Sequence, residues 1–155
     1  MKLVIKMYGV VLEGGGLKGA YHLGAMKAIF ECGYEIGGYV GTSIGSFNAA
    51  VLAQGDFDKL YKLWEKGSSV LGLDVDEKEL GKLVDKKWSV KTLKYWANYV
   101  RENIVNKGVD SSKLKGLYSS YIDEEKLRNS AIDYGMVTVS LSDMKPIYLY
   151  KEDIS

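Results

Sequence analysis

Two glycine-rich turns constrain this chain more than any other feature. The first is Gly14-Gly15-Gly16-Leu17-Lys18-Gly19, and the second, about two dozen residues on, is Gly41-Thr42-Ser43-Ile44-Gly45. Each follows a short apolar run and precedes apolar residues at helical spacing. Val10 to Leu12 reads as a buried strand after a mixed start at Leu3, Val4 and Ile5. Leu23, Met26, Ala28, Ile29 and Phe30 recur near the helical period, and Gly33 is a stop. Gly38-Tyr39-Val40-Gly41 reads as a second short strand, and Phe47 to Ala53 as a second helix ended by Gly55. Strand, glycine loop, helix, strand, sharp turn, helix is a βαβα order. It predicts an α/β fold, a mainly parallel sheet with helices on its faces.

The remainder is less constrained. Phe57 to about Asn106 reads as helical, with Val90, Leu93, Trp96, Ala97, Val100 and Ile104 as an apolar stripe on one helix. Asp123-Glu124-Glu125 predicts a short helix whose acids sit at the N-terminal end, where the dipole favours them. Met136 to Leu141 and Ile147 to Tyr150 are strand-like, and Ser142-Asp143-Met144-Lys145 between them suggests a hairpin. With no repeats, no linker and Pro146 as the only proline, residues 1–155 read as one domain. The chain stops five residues after the last strand, without a concluding helix, which predicts a truncated α/β domain. A sheet cut there leaves a strand edge open to pairing.

With 155 residues, 46% hydrophobic and 26% charged, the chain is long and apolar enough to bury a core. Its 21 basic and 20 acidic residues leave a net charge of +1, which gives no electrostatic footprint for nucleic acid or for an anionic membrane. Cys32 is the only cysteine, so an internal disulfide and a zinc site of several thiolates are excluded. A reduced, cytoplasmic setting fits. The apolar run from Met7 ends at Glu13, too soon for a secretory segment, and nothing approaches the roughly 18 apolar residues of a membrane span. Membrane contact, if any, is expected to be peripheral.

A G-x-S-x-G between strand and helix lifts its serine out of the sheet edge on a strained turn, with the helix N-terminus aimed at the reacting centre. Ser43 is therefore a candidate nucleophile, with Gly41, Thr42 and Gly45 shaping its turn. The plain alternative is an ordinary turn whose serine caps a helix. Acyl transfer develops negative charge on a carbonyl oxygen, which backbone N–H groups fixed in advance stabilise. Gly14, Gly15 and Gly16 let the main chain turn such groups outward, and the N–H of Ile44, the residue after the serine, is a further donor. The plain alternative is a tight strand-to-helix connection.

Gly14, Gly16 and Gly19 also satisfy the G-x-G-x-x-G fingerprint of dinucleotide-binding folds. That fingerprint wants an acid about 20 residues on, at the end of the second strand. Glu31 and Glu35 are near, but the strand ends in Gly41-Thr42-Ser43. A Walker loop is excluded, because no glycine here is followed by Lys-Ser or Lys-Thr.

Taken together, a strand running into Gly-Gly-Gly-x-Lys-Gly, then His22 and Gly24 on the helix, then Gly-Thr-Ser-x-Gly, resembles the patatin-like phospholipases over roughly Val10 to Gly55. The resemblance implies a three-layer α/β/α sandwich, Ser43 as nucleophile toward lipid esters, an oxyanion hole built by Gly14, Gly15 and Gly16, and no metal or organic cofactor. It also implies a Ser–Asp dyad, so the single histidine, His22, reads as a helix-packing or loop-supporting residue rather than a base. The family's acid lies in an Asp-Gly-Gly or Asp-Gly-Ala motif. None of the ten aspartates here precedes a glycine, so the acid is expected beyond Ser155.

Lys18 is a candidate contact for a lipid phosphate, or a solvated lysine. Asp74, Asp76 and Glu79 hint at a calcium loop, but Lys78 and Glu79 occupy positions that need a ligand and a glycine. Trp88, Tyr95, Trp96 and Tyr99 suit helix packing or an acyl pocket better than a bilayer interface. Three functions are thus in play: a lipid acyl hydrolase, a dinucleotide-binding domain, and a non-catalytic module keeping part of an enzyme fold.

Overall fold

The computed structural model describes residues 7–66, 112–140 and 142–153, together with Lys94 and Asn98, both in helical backbone. The backbone divides into two compact units, Met1–Gly67 with Tyr118–Ser155, and Ser68–Leu117. The apolar stripe from Val90 to Ile104, the acids at 74–79 and the tryptophans at 88 and 96 lie outside the described residues.

The first unit opens with β1 (Met7–Leu12), a 3-10 turn (Gly16–Lys18) and α1 (Gly19–Glu31). It continues through β2 (Glu35–Thr42), α2 (Ile44–Ala53) and α3 (Phe57–Trp64). A further helix, α4 (Ser112–Tyr121), brings the chain back to this unit; α5 (Glu124–Asn129), β3 (Asp133–Ser140) and β4 (Lys145–Tyr150) complete it. The strands form one sheet in the order β1-β2-β3-β4. β1, β2 and β3 are parallel, and β4 pairs antiparallel to β3 through the expected hairpin. The α/β class with a mainly parallel sheet is therefore as the βαβα order implies. β2 is longer than Gly38–Gly41 because it pairs with β1 from Met7 onward, with the register slipping once at Gly37. Pro146 is tolerated because β4 is the edge strand.

Strand alternation sorts the sheet into two faces. Val10, Tyr39 and Tyr134 lie in register, and Tyr39 and Tyr134 are buried beneath the helices. Val11, Val40, Gly135 and Tyr150 form the neighbouring row on the opposite face, where Val11 is 81% exposed and Tyr150 56%. Among the described residues, the helical layer covers one face.

That layer is organised around α2, all ten residues of which are buried. A helix with no wet face must pack on every side. α2 rests on β1, β2 and β3 and meets α1, α3 and α5. Phe47, fully buried, packs its ring against Tyr118 and Tyr121 at centroid distances of 5.0 and 6.1 Å. The far end of α2 is pinned by side chains. Gln54 Nε2 donates to the Tyr121 carbonyl at 2.7 Å, and Ser130 Oγ to the Ala53 carbonyl at 2.6 Å. These bonds satisfy carbonyls at the ends of α4 and α2 that the helices themselves leave open. Asp123 caps α5 by accepting from the Lys126 N–H at 2.9 Å, as its acidic start implies. Asp56 is held by Lys126 and Gln54.

The approach of α2 to the sheet is set by missing side chains. A Cβ on Gly45 would overlap the carbonyl oxygen of Leu12, and one on Gly41 would overlap the backbone of Gly45. Gly24, in the middle of α1, has nothing within 4 Å of the same position. Gly45→Ala should therefore cost at least the roughly 3 kcal/mol at the top of the ordinary overpacking range. Gly24→Ala should stabilise by about 0.5–1 kcal/mol through helix propensity. Urea unfolding of the two variants checks both signs.

Candidate active site

The turn between β2 and α2 is one residue long, and that residue is Ser43, with φ 52° and ψ −130°. This conformation costs a non-glycine residue on the order of 1–3 kcal/mol and persists only where the surroundings impose it. Here they do. β2 is fixed to β3 up to Thr42, whose Oγ1 also donates to the Val137 carbonyl at 3.3 Å. α2 is fixed against the sheet at Gly45. The Ser43 carbonyl accepts from the Ser46 N–H at 2.9 Å and from Ser46 Oγ at 2.6 Å. Tyr134 in turn donates its hydroxyl to the Ser46 carbonyl at 3.2 Å. Burial and the neighbouring Tyr118 push the Tyr134 phenol up to about 12, so it keeps its donor proton. Ser43 itself is exposed, while Ile44 directly after it is buried. The turn thus presents a serine hydroxyl at the C-terminal edge of the sheet, over the N-terminus of a helix.

The glycine loop arrives at the same edge from β1. A Cβ on Gly14 would sit 3.0 Å from the Ser43 Cβ, so loop and serine are in direct contact although 29 residues apart. Gly15 and Gly16 have φ 147° and 58°, which side-chain-bearing residues rarely adopt, and they turn the chain sharply into the 3-10 turn. The Lys18 stem lies over Gly15, with Cδ 3.2 Å from where a Cβ would be, and Lys18 is exposed. Gly14, Gly15, Gly16, Lys18, Thr42, Ser43 and Ile44 are thus gathered at one edge, with Gly41 and Gly45 just beneath.

His22 is set apart from them. It is buried on α1 in a polar cluster that sequence patterns do not reveal. Trp64 Nε1 donates to Asn48 Oδ1 at 2.9 Å. An indole N–H can only donate, so this bond fixes the orientation of the Asn48 amide. Asn48 Nδ2 then donates to the Gly19 carbonyl at 3.0 Å and to His22 Nδ1 at 3.2 Å. The last bond requires an unprotonated Nδ1, hence a neutral imidazole with its proton on Nε2. Burial lowers the His22 pKa, and the negative charge of Glu13 opposes that shift. One signal pointed to Asn48: a carboxamide inside the apolar run from Phe47 to Ala53 must find partners.

The aspartates within the described residues have other placements. Asp56 and Asp58 follow the far end of α2, about 15 Å of helix from Ser43. Asp123 caps α5, Asp153 accepts from the Tyr150 N–H at 3.0 Å, and Asp133, near Lys151, begins β3 at the other end of the sheet. Asp143 lies at the same end as Ser43, in the β3–β4 turn, where Ser140 Oγ donates to it at 3.1 Å. Asp74, Asp76, Asp85 and Asp110 lie outside the described residues. Among the described residues, no group of three or more His, Cys, Asp or Glu could hold a metal ion. No described helix is long and apolar enough to cross a membrane.

A mainly parallel sheet whose first strand ends in a glycine loop and whose second ends in a strained serine turn defines an α/β chain of the serine-elbow class. The family model for patatin-like phospholipase matches residues 10–150, and the chain belongs to that family. A stretch of the chain is similar to Lysophospholipase NTE1 of Coccidioides immitis, 47% identical over 53 residues, which is 34% of this chain and 3% of that protein. Lysophospholipase NTE1 of Eremothecium gossypii is 52% identical over 50 residues, 32% of this chain and 3% of that protein. Patatin-like phospholipase domain-containing protein 6 of Mus musculus is 47% identical over 45 residues, 29% of this chain and 3% of that protein. The matches thus span a few per cent of the length of these curated relatives. The fold is similar to that of VipD from Legionella pneumophila, with a TM-score of 0.50 and 18% identity over 94% of this chain and 39% of VipD. The family match does not favour the dinucleotide reading of the Gly14–Gly19 loop.

His22 is the only histidine, so its linkage to folding is isolated. Its folded pKa is lowered, and the unfolded chain binds a proton near 6.5. Stability should fall as the pH drops below about 6.5, where only the unfolded state takes up that proton. Urea midpoints between pH 7.5 and 5.5 should show this slope, and His22→Gln should remove it.

Proposed function

We propose that this chain carries the acyl-transfer half of a serine lipid acyl hydrolase, with Ser43 as nucleophile. The observation that carries the reading is the contact between Gly14 and the strained Ser43 turn, which brings an exposed serine and the glycine loop to one edge of the sheet.

Ser43 Oγ attacks the ester carbonyl while a base takes its proton. The N–H groups of Gly15, Gly16 and Ile44, with Gly14 giving room, receive the oxyanion of the tetrahedral intermediate. Collapse expels the alcohol, which takes the proton back, and leaves an acyl-serine. Water activated by the same base then releases the fatty acid and restores the serine. His22 is poorly suited as that base, since its Nδ1 is engaged by Asn48. The family's Ser–Asp dyad supplies the better reading, with the aspartate in an Asp-Gly context outside these 155 residues, which then form the N-terminal portion of a single patatin-like domain. The mechanism needs no metal or organic cofactor.

The relatives named as lysophospholipases favour a phospholipid or lysophospholipid ester as substrate. Lys18, exposed beside the loop, suits the phosphate of such a head group. The enzyme then works in the cytoplasm and meets membrane from its surface.

In the full-length protein, Ser43→Ala should lower ester turnover by roughly 10⁶, and a variant retaining a tenth of the activity would end this reading. Gly15→Ala or Gly16→Ala should lower turnover by roughly 10²–10³, with less effect on substrate binding. The 155-residue chain alone should hydrolyse p-nitrophenyl esters slowly and label slowly with fluorophosphonate, whereas a longer chain reaching an Asp-Gly motif should recover both activities. Equal rates for the two lengths would place the base inside this sequence.

A further inference from the structure

We infer that Asn48 is a positioning residue for acyl transfer, its carboxamide setting the helix that follows the glycine loop against the helix that follows Ser43. This rests on the reading of Ser43 and the loop given above.

The two halves of the site belong to different elements. The loop leads into α1 at Gly19, three residues past Gly16, and Ser43 leads into α2 at Ile44. Oxyanion stabilisation depends on the distance between a hydroxyl carried by one and amides carried by the other. Asn48 sits one turn into α2, fully buried, and reaches across to the first residue of α1, its Gly19 carbonyl, at 3.0 Å. The same nitrogen reaches His22, one turn further along α1, at 3.2 Å. Two bonds to successive turns fix rotation as well as separation. Trp64, at the end of α3, holds the Asn48 oxygen at 2.9 Å, so the amide cannot flip. The space is closed on the same side: a Cβ on Gly19 would collide with the Trp64 ring and press on Ile44. Every polar atom of the amide is used: two bonds join α2 to α1 and one joins α2 to α3. General helix adhesion would be served as well by an apolar side chain of the same size. A directional carboxamide at the first turn of both helices supplies registration, which apolar packing does not.

The test uses variants close in volume. In the full-length protein, Asn48→Leu should keep the circular dichroism spectrum and lower kcat on a p-nitrophenyl ester roughly 10–10²-fold with KM nearly unchanged, the scale for misplacing reacting groups by about 1 Å. His22→Leu should show the same split more weakly, and His22→Gln, which keeps an acceptor, should restore kcat. Combining Asn48→Leu with Gly16→Ala should cost less than the product of the separate losses, because both act through the loop. Activity that dies with Ser43→Ala while Asn48→Leu keeps full kcat overturns the assignment of Asn48 and leaves that of Ser43 intact. A second readout does not depend on turnover. In ¹⁵N spectra of the 155-residue chain, Asn48→Leu or His22→Leu should shift the amide signals of Gly14, Gly15, Gly16 and Ile44. Unmoved signals in a folded variant overturn the proposal even if the protein proves silent on every ester.

Discussion

The turn at Ser43 depends on backbone meeting backbone where three segments converge. The end of β1, the end of β2 and the first turn of α2 meet with no side chain between them, because Gly41 and Gly45 have none. This contact forces the reversal from strand to helix to be completed in one residue. That residue then takes a positive φ which no local preference of serine supports. The strain is sustained by what surrounds it: sheet pairing up to Thr42, the bonds from Ser46 to the Ser43 carbonyl, and the total burial of α2. The same contact draws the glycine loop onto the serine, since Leu12 and Glu13, whose carbonyls face Gly45, run directly into Gly14.

Burying α2 on all sides raises a second problem, because the helix carries Ser46, Asn48 and, just past its end, Gln54. An unpartnered polar group there would cost about 1–3 kcal/mol. Asn48 has partners on α1 and α3 and Gln54 in the stretch around Tyr121 and Asp123, while Ser46 Oγ donates to the Ser43 carbonyl and the Ser46 main-chain carbonyl accepts from Tyr134 in the sheet. The polar residues of the central helix are therefore points at which its neighbours are located, and Asn48 is the one bonded to the helix that follows the glycine loop.

Much of the first unit was legible as local pattern. Several glycines of the two motifs stand where a side chain would meet backbone, as at Gly41 and Gly45, or where φ is positive, as at Gly15 and Gly16, so the loop, the elbow and the strand–helix order around them could be read directly. Asp123 announced the start of α5 by the same kind of local chemistry, and the hairpin between β3 and β4 followed from two strand-like runs around a turn. The extent of β2 was less legible, because Glu35-Ile36-Gly37 has no clear alternation and becomes strand by pairing with β1. α4 went unread, although Leu114, Leu117, Tyr118 and Tyr121 stand at helical spacing.

By itself, then, the sequence determined where the chain must turn and which residue stands at each turn, since backbone clashes and φ preferences act over a few neighbouring residues. It marked Ser43 and the Gly14–Gly16 loop as chemically related without showing that they touch. Tertiary structure alone decided that Gly14 lies against Ser43, that His22 is neutral and engaged, and that Asn48, Trp64 and Gly19 meet. These contacts join residues 16 to 45 positions apart. A buried polar atom bonds to whatever the packing of helices places beside it, and apolar periodicity fixes which face of a helix is inward but not its rotation and register against the next helix.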